Sequence, residues 1–149
     1  MTIVIDPAAQ AAIRAHLEAA YPEEGAGFLI GEVDGDNVRR VRDVLPIANA
    51  RENGARRTRY LITPHDTVRA DYEAEARGLE ILGVFHSHPD VPNEPSAFDR
   101  EWALPWYSYT ITRVDEGRAV SIRSWRLMDD RSQFVEEPIQ PPAEIPPLR

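Results

Sequence analysis

The hydrophobic positions of this chain repeat with two different periods. A short apolar run, TIVID (Thr2 to Asp6), predicts a strand. From Pro7 the spacing turns helical: Ala9, Ala12, Ile13, Leu17 and Ala20 approximate one face, and Pro22 stops the run. Asp6 is placed to cap this helix, with Pro7 at its first position. In AGFLIGEVDGDNVRRVRDVLPI two β-rich runs flank Asp34-Gly35-Asp36-Asn37, which predicts a hairpin. RYLITP (Arg59 to Pro64) predicts a further strand, and the following segment a helix that ends at Gly78. LEILGVFHSH is almost wholly apolar until its last residues, the signature of a central strand.

Beyond it, SAFDREWAL predicts a short helix stopped near Pro105. WYSYTITRV and RAVSIRSWRL predict an antiparallel pair around Asp115-Glu116-Gly117, with Trp106, Tyr107, Tyr109 and Trp125 as packing residues. FVEEPI predicts a last edge strand. This order of elements belongs to the α+β class, a sheet flanked by helices. At 149 residues, one domain is expected. Residues 1–135 form that domain, and 136–149 a proline-rich tail with extended or disordered character.

Composition narrows the chemistry. There is no cysteine, so disulfides and thiolate zinc sites are excluded, and any metal must be held by His, Asp or Glu. A net charge of -8 and a sequence pI near 5.0 argue against nucleic acid as a partner. Arginines cluster at Val38 to Arg42 and Arg51 to Arg59, where a solvated strand face or loop is expected. All 17 Lys or Arg residues are arginine, a bias that GC-rich coding or an acid-rich surface explains as well as avoidance of amine modification does. With no signal-like N-terminus and no long apolar run, a cytoplasmic protein without membrane association is expected. Apolar strand edges leave homodimer pairing open.

The histidines concentrate the argument. His16 beside the first helical face and His65 in the first turn of the second helix are expected to be structural or solvated. His86 and His88 differ. On a strand they share a face, with Cα atoms roughly 6.5–7 Å apart, while Ser87 points the other way. Two imidazoles so placed can converge on one ion at about 2.0–2.1 Å. Pro89 is expected to stop strand pairing, leaving the pair at a sheet end. A third protein ligand is needed. Asp99, one turn into the helix that Ser96 starts, is preferred over the loop residues Asp90 and Glu94. Ser-x-x-Asp is also a capping-box pattern, so Ser96 and Asp99 have a structural reading too.

Together these residues, H-S-H-P-x6-S-x2-D from His86 to Asp99, resemble the zinc metallopeptidases of the JAB1/MPN/Mov34 (JAMM) family, short prokaryotic type. An upstream E-x2-G, Glu24 and Gly27 in YPEEGAGFLIG, matches as well, with Glu23 the alternative if the register slips by one. The likeness reaches from Ile3 to about Met128. It implies a mixed, largely antiparallel curved sheet of the MPN/JAB, cytidine-deaminase-like architecture. It further implies that His86, His88 and Asp99 hold Zn2+, that Glu24 is the general base, and that Ser96 donates a hydrogen bond to the oxyanion. The implied reaction is hydrolysis of a peptide or isopeptide bond after the C-terminal glycine of a ubiquitin-like or sulfur-carrier protein, its Gly-Gly tail laid as a strand beside the sheet. Two alternatives stand beside this: a catalytically silent MPN scaffold, and a two-His-one-carboxylate iron oxygenase, for which no cosubstrate pocket is indicated.

Overall fold

The computed structural model describes residues 1–49 and 60–140; the arginine cluster at 51–59 and the tail residues 141–149 lie outside the described residues. The elements in chain order are β1 (Thr2–Ile5), α1 (Pro7–Ala20), β2 (Ala26–Asp34), β3 (Val38–Ile47), α2 (Pro64–Ala76), β4 (Glu80–Pro89), α3 (Ala97–Trp102), β5 (Ser108–Asp115), β6 (Arg118–Leu127) and β7 (Phe134–Glu137). The strands form one sheet in the order β1-β3-β2-β4-β5-β6-β7. β1–β3 and β4–β5 are parallel, and the other neighbours antiparallel. The expected α+β architecture is therefore present, with β4 central.

Two turns drive the hairpins. A 3-10 turn at Gly35–Asn37, with Asn37 at φ 62°, joins β2 to β3. Glu116 and Gly117, at φ 49° and 85°, join β5 to β6, as a tight two-residue hairpin with positive φ at both positions requires. The sheet also curls. Ile139, just past β7, bridges Ile3 of β1; Ile3 N–H donates to Pro138 O, and Gln140 N–H to Ile3 O. The chain thus stays attached to the sheet as far as Gln140, and the two edges of the sheet meet there.

A bulge where β2 meets β4, between Leu29 and Ile30, decides which side chains face which helix. It shifts the alternation by one residue, so Leu82 and Phe85 pack with Ala9, Ile13 and Leu17 of α1. Ile81 and Val84 pack instead with Ala70 and Ala74 of α2. Gly27 is required where β2 passes this strand: a Cβ there would run into the Phe85 ring and the Leu45 carbonyl. His86 and His88, in phase with Val84, emerge on the α2 side.

Four local expectations are corrected. Asp6 precedes α1 but makes no side-chain cap; its carboxylate is drawn to Arg40 and Arg42 on β3, at 3.2 and 3.4 Å. Residues 60–63, expected as a strand, pair with no strand; Tyr60 and Ile62 lie across the α2-side core, and Thr63 caps α2 through a reciprocal box with Asp66. Their apolar content reflects burial over a sheet face, which periodicity alone does not separate from burial within a sheet. β4 runs through Pro89, which pairs with Val114, and is broken only at Asp90, with φ 59°. In the parallel ladder the missing proline N–H is tolerated at the strand's last residue. Arg39, expected on a solvated face, is 1% exposed; it donates to Leu82 O and Ser108 Oγ and lies over the Trp106 ring.

The meeting of the sheet edges yields a stability test. Ile139→Ala removes half-buried apolar surface at the bridge and is expected to cost about 1–2 kcal/mol in urea unfolding. Unchanged stability would mean the bridge contributes nothing.

Candidate metal centre

The end of β4 and the start of α3 bring three donors together. His86 Nε2 and His88 Nε2 are 3.3 Å apart. Asp99 places Oδ2 3.1 Å from His88 Nε2 and Oδ1 3.4 Å from His86 Nε2. Among the described residues, this is the group of His and carboxylate ligand atoms that converges, all within 4.8 Å and all buried. The loop acids weighed against Asp99 go elsewhere. Asp90 accepts from Tyr21 O–H at 2.6 Å and Glu116 N–H at 2.9 Å, and Glu94 is exposed.

The hydrogen bonds around the cluster decide its charge pattern. His88 Nδ1 lies 2.8 Å from Pro92 O. A carbonyl only accepts, so Nδ1 of this ring carries a proton and Nε2 is the nitrogen turned toward the cluster. Burial lowers the His86 pKa, with Asp99 opposing it. Burial raises Asp99, but His86, His88 and the Ser96 N–H outweigh it, and the carboxyl sits well below the usual carboxylate range. Two imidazole Nε2 atoms and a carboxylate therefore face one another in a buried site. That donor set fits a divalent cation of the zinc type, whose ligands are neutral His and ionised carboxylate.

α3 holds Asp99 in place. Ser96 Oγ accepts from Asp99 N–H at 3.0 Å, while Asp99 Oδ2 accepts from Ser96 N–H at 2.9 Å. The capping box is thus formed, and Ser96, an exposed residue, still carries a hydroxyl proton to donate.

Glu24 reaches the same place through strand register. Ala26 pairs with His86, and Ser87 N–H donates to Gly25 O at 3.1 Å, so two residues further back Glu24 stands opposite His88. Ser87, on the other face as expected, accepts from Gly25 N–H at 2.9 Å and locks this register. Glu24 is 5% exposed, and its Oε1 has no hydrogen-bond partner among the described residues. Burial, with Asp99 adding to it, pushes its carboxyl up to about 9. Glu23 is half-exposed and belongs to the turn after α1.

Two residues that periodicity did not single out frame the cluster. Tyr60 packs its ring 4.6 Å from that of His86. Asn49 joins this segment to Glu24, donating to Glu24 O at 3.0 Å and accepting from Leu61 N–H at 3.2 Å. Beside Asp99 opens an apolar cavity of about 170 Å³, walled in part by Phe28, Tyr60, Val84, Trp102 and Tyr109. His16 is structural: its Nε2 is 3.1 Å from Ala26 O and its ring meets the edge of Phe85. His65 is exposed.

The donors thus come from the end of the central strand and from the next helix, with Glu24 just ahead of the neighbouring strand β2. Residues 6–128 match the family of prokaryotic homologues of the JAB domain, and the chain belongs to that family. It is 35% identical over 109 residues to a probable TtuB-protein conjugate cleaving protease of Thermus thermophilus, covering 71% of this chain and 66% of that protein. A desampylase of Haloferax volcanii is 36% identical over 95 residues, 63% of this chain and 65% of that one. The chain thus spans just under two thirds of these curated relatives. A solution structure of a protein from Desulfitobacterium hafniense superposes with a TM-score of 0.80 at 30% identity, covering 93% of this chain and 92% of the other.

The Glu24 environment predicts a pH signature in metal-free protein. The fold favours the protonated acid, so its contribution is full below about 4.5 and is lost as pH rises through about 9. Under chelation, wild-type stability is expected to fall across that window relative to Glu24→Gln, whose amide does not titrate. Parallel melting-temperature profiles for the two proteins would contradict the buried, uncharged state.

Proposed function

We propose that this protein is a zinc-dependent hydrolase of the JAMM type that cleaves the peptide or isopeptide bond after the C-terminal glycine of a ubiquitin-like or sulfur-carrier protein. The observation that carries the reading is the convergence of His86, His88 and Asp99 beside a buried Glu24. The names of the Thermus and Haloferax relatives, which refer to a conjugate-cleaving protease and a desampylase, support the substrate class. The catalytic unit is assigned to residues 1–135, with the proline-rich segment from 136 outside the chemistry.

His86, His88 and Asp99 hold the ion. Zinc bound there supplies Lewis acidity, which lowers the pKa of a water toward about 7 and polarises a carbonyl. Glu24 is the base. Its carboxylate takes the proton of the attacking water and returns it to the departing amine. A group held near 9 when no cation is present becomes ionised once positive charge lies close by, so its proton affinity suits both tasks. Ser96 keeps its oxygen on the Asp99 amide and turns its proton toward the developing oxyanion. The apolar cavity beside Asp99 keeps water from one flank of the reacting carbonyl.

Both neighbours of β4 are taken, by β2 and β5. A Gly-Gly tail therefore does not add to β4 itself.

The test is cleavage of a carrier protein fused through its Gly-Gly end, with zinc supplied or chelated. Turnover is expected to need zinc. Glu24→Gln should lower kcat about 10²–10⁴-fold. Ser96→Ala should lower it ~10²–10³-fold, against a stability loss of about 1 kcal/mol for the lost cap. A zinc-loaded wild-type protein without turnover on any such fusion would favour the scaffold reading. Equal losses of rate and stability in Ser96→Ala would leave the serine only its cap.

A further inference from the structure

We propose that Asn93 is a positioning residue for the metal centre: it clamps the loop between β4 and α3 so that Pro92 O sets the tautomer and angle of His88. This rests on the reading of the cluster as a metal site.

The loop from Asp90 to Pro95 is outward-facing, with one exception. Asp90, Val91, Pro92 and Glu94 are exposed, Pro95 is partly so, and Asn93 is 5% exposed. A buried amide in a surface loop needs an explanation, because its polar atoms must find partners to offset their desolvation. Asn93 finds them on two different strands. Its Nδ2 donates to Ile111 O on β5 at 3.3 Å and to Ser121 Oγ on β6 at 3.0 Å. Its backbone carbonyl accepts from the Trp125 indole N–H at 3.1 Å, also on β6. Three contacts thus fix one residue of the loop to the β5–β6 hairpin, a rigid part of the sheet.

Pro92, the preceding residue, has no N–H, and the chain around it has restricted φ. Freedom left in the Pro92 carbonyl is largely freedom in where Asn93 sits. That carbonyl is the acceptor 2.8 Å from His88 Nδ1. An acceptor in this place keeps the proton on Nδ1 and leaves Nε2 free to bind a cation, the common role of an outer partner to a ligand histidine. Asp90 pins the start of the loop through Tyr21 and Glu116, ahead of Pro92, whereas the acceptor at His88 Nδ1 is Pro92 O. The Asn93 contacts therefore hold the His88 acceptor from its far side.

The experiment measures cobalt(II) and zinc(II) affinity of full-length protein by chelator competition, with the cobalt absorption spectrum and the melting temperature of metal-free protein alongside. Asn93→Ala is expected to weaken metal binding about 10–100-fold, the range found when an outer hydrogen-bond partner is lost, and to change the cobalt spectrum. Trp125→Phe removes the indole N–H while keeping most of the packing; a loss of ~3-fold or more is expected, and this variant carries the test if Asn93→Ala does not fold. Ile139→Ala, remote from the loop, serves as a control that lowers stability without moving affinity. Lowered melting temperature with unchanged metal affinity and spectrum would overturn the proposal. Absence of metal binding by the wild type would overturn the metal-centre reading instead, and the proposal with it.

Discussion

Three groups able to bind a cation crowd the end of β4. Two imidazole Nε2 atoms and the Asp99 carboxylate lie within hydrogen-bonding distance of one another, all on buried side chains. In a medium of low polarity such an arrangement is unfavourable unless a proton or a cation lies among the three. A single proton between one imidazole and the carboxylate answers one contact of the three, and burial opposes a charge on His86. A divalent cation answers all three donors at once. The architecture around the site keeps these groups in place.

Several devices do so, each drawn from ordinary backbone chemistry. The β2–β4 register, locked by the paired Ser87 and Gly25 contacts, brings Glu24 beside the histidines although 62 positions separate Gly25 from Ser87. The Ser96–Asp99 box turns a carboxylate that would otherwise be mobile into a fixed donor, at the cost of placing an acid near the base. Burial raises Glu24, and that proximity adds to it. The same contact that builds the centre therefore tunes the acid beside it.

Much of this was legible in the chain. Period-two alternation placed His86 and His88 on one face and Ser87 on the other, because alternation depends only on strand geometry. The hairpin turns were marked by Asp, Asn and Gly residues that accept positive φ. Other features depend on partners distant in sequence and leave no local trace. Asp6 resembles a cap, yet two arginines on β3 claim its carboxylate. The 60–63 segment carries apolar residues suited to a strand, yet lies over the sheet, where Tyr60 covers His86. Arg39 sits in a charged run but is buried by a tryptophan from beyond β4. Asn93 looks like any polar loop residue until its strands are assembled around it.

The most direct measurement is a crystal structure of zinc-loaded protein, with the ion located by its anomalous scattering. The account predicts one strong peak within about 2.0–2.2 Å of both Nε2 atoms and an Asp99 oxygen, with Glu24 close by but not bound to the ion. A peak at other residues, or none at these three in protein saturated with zinc, would contradict it.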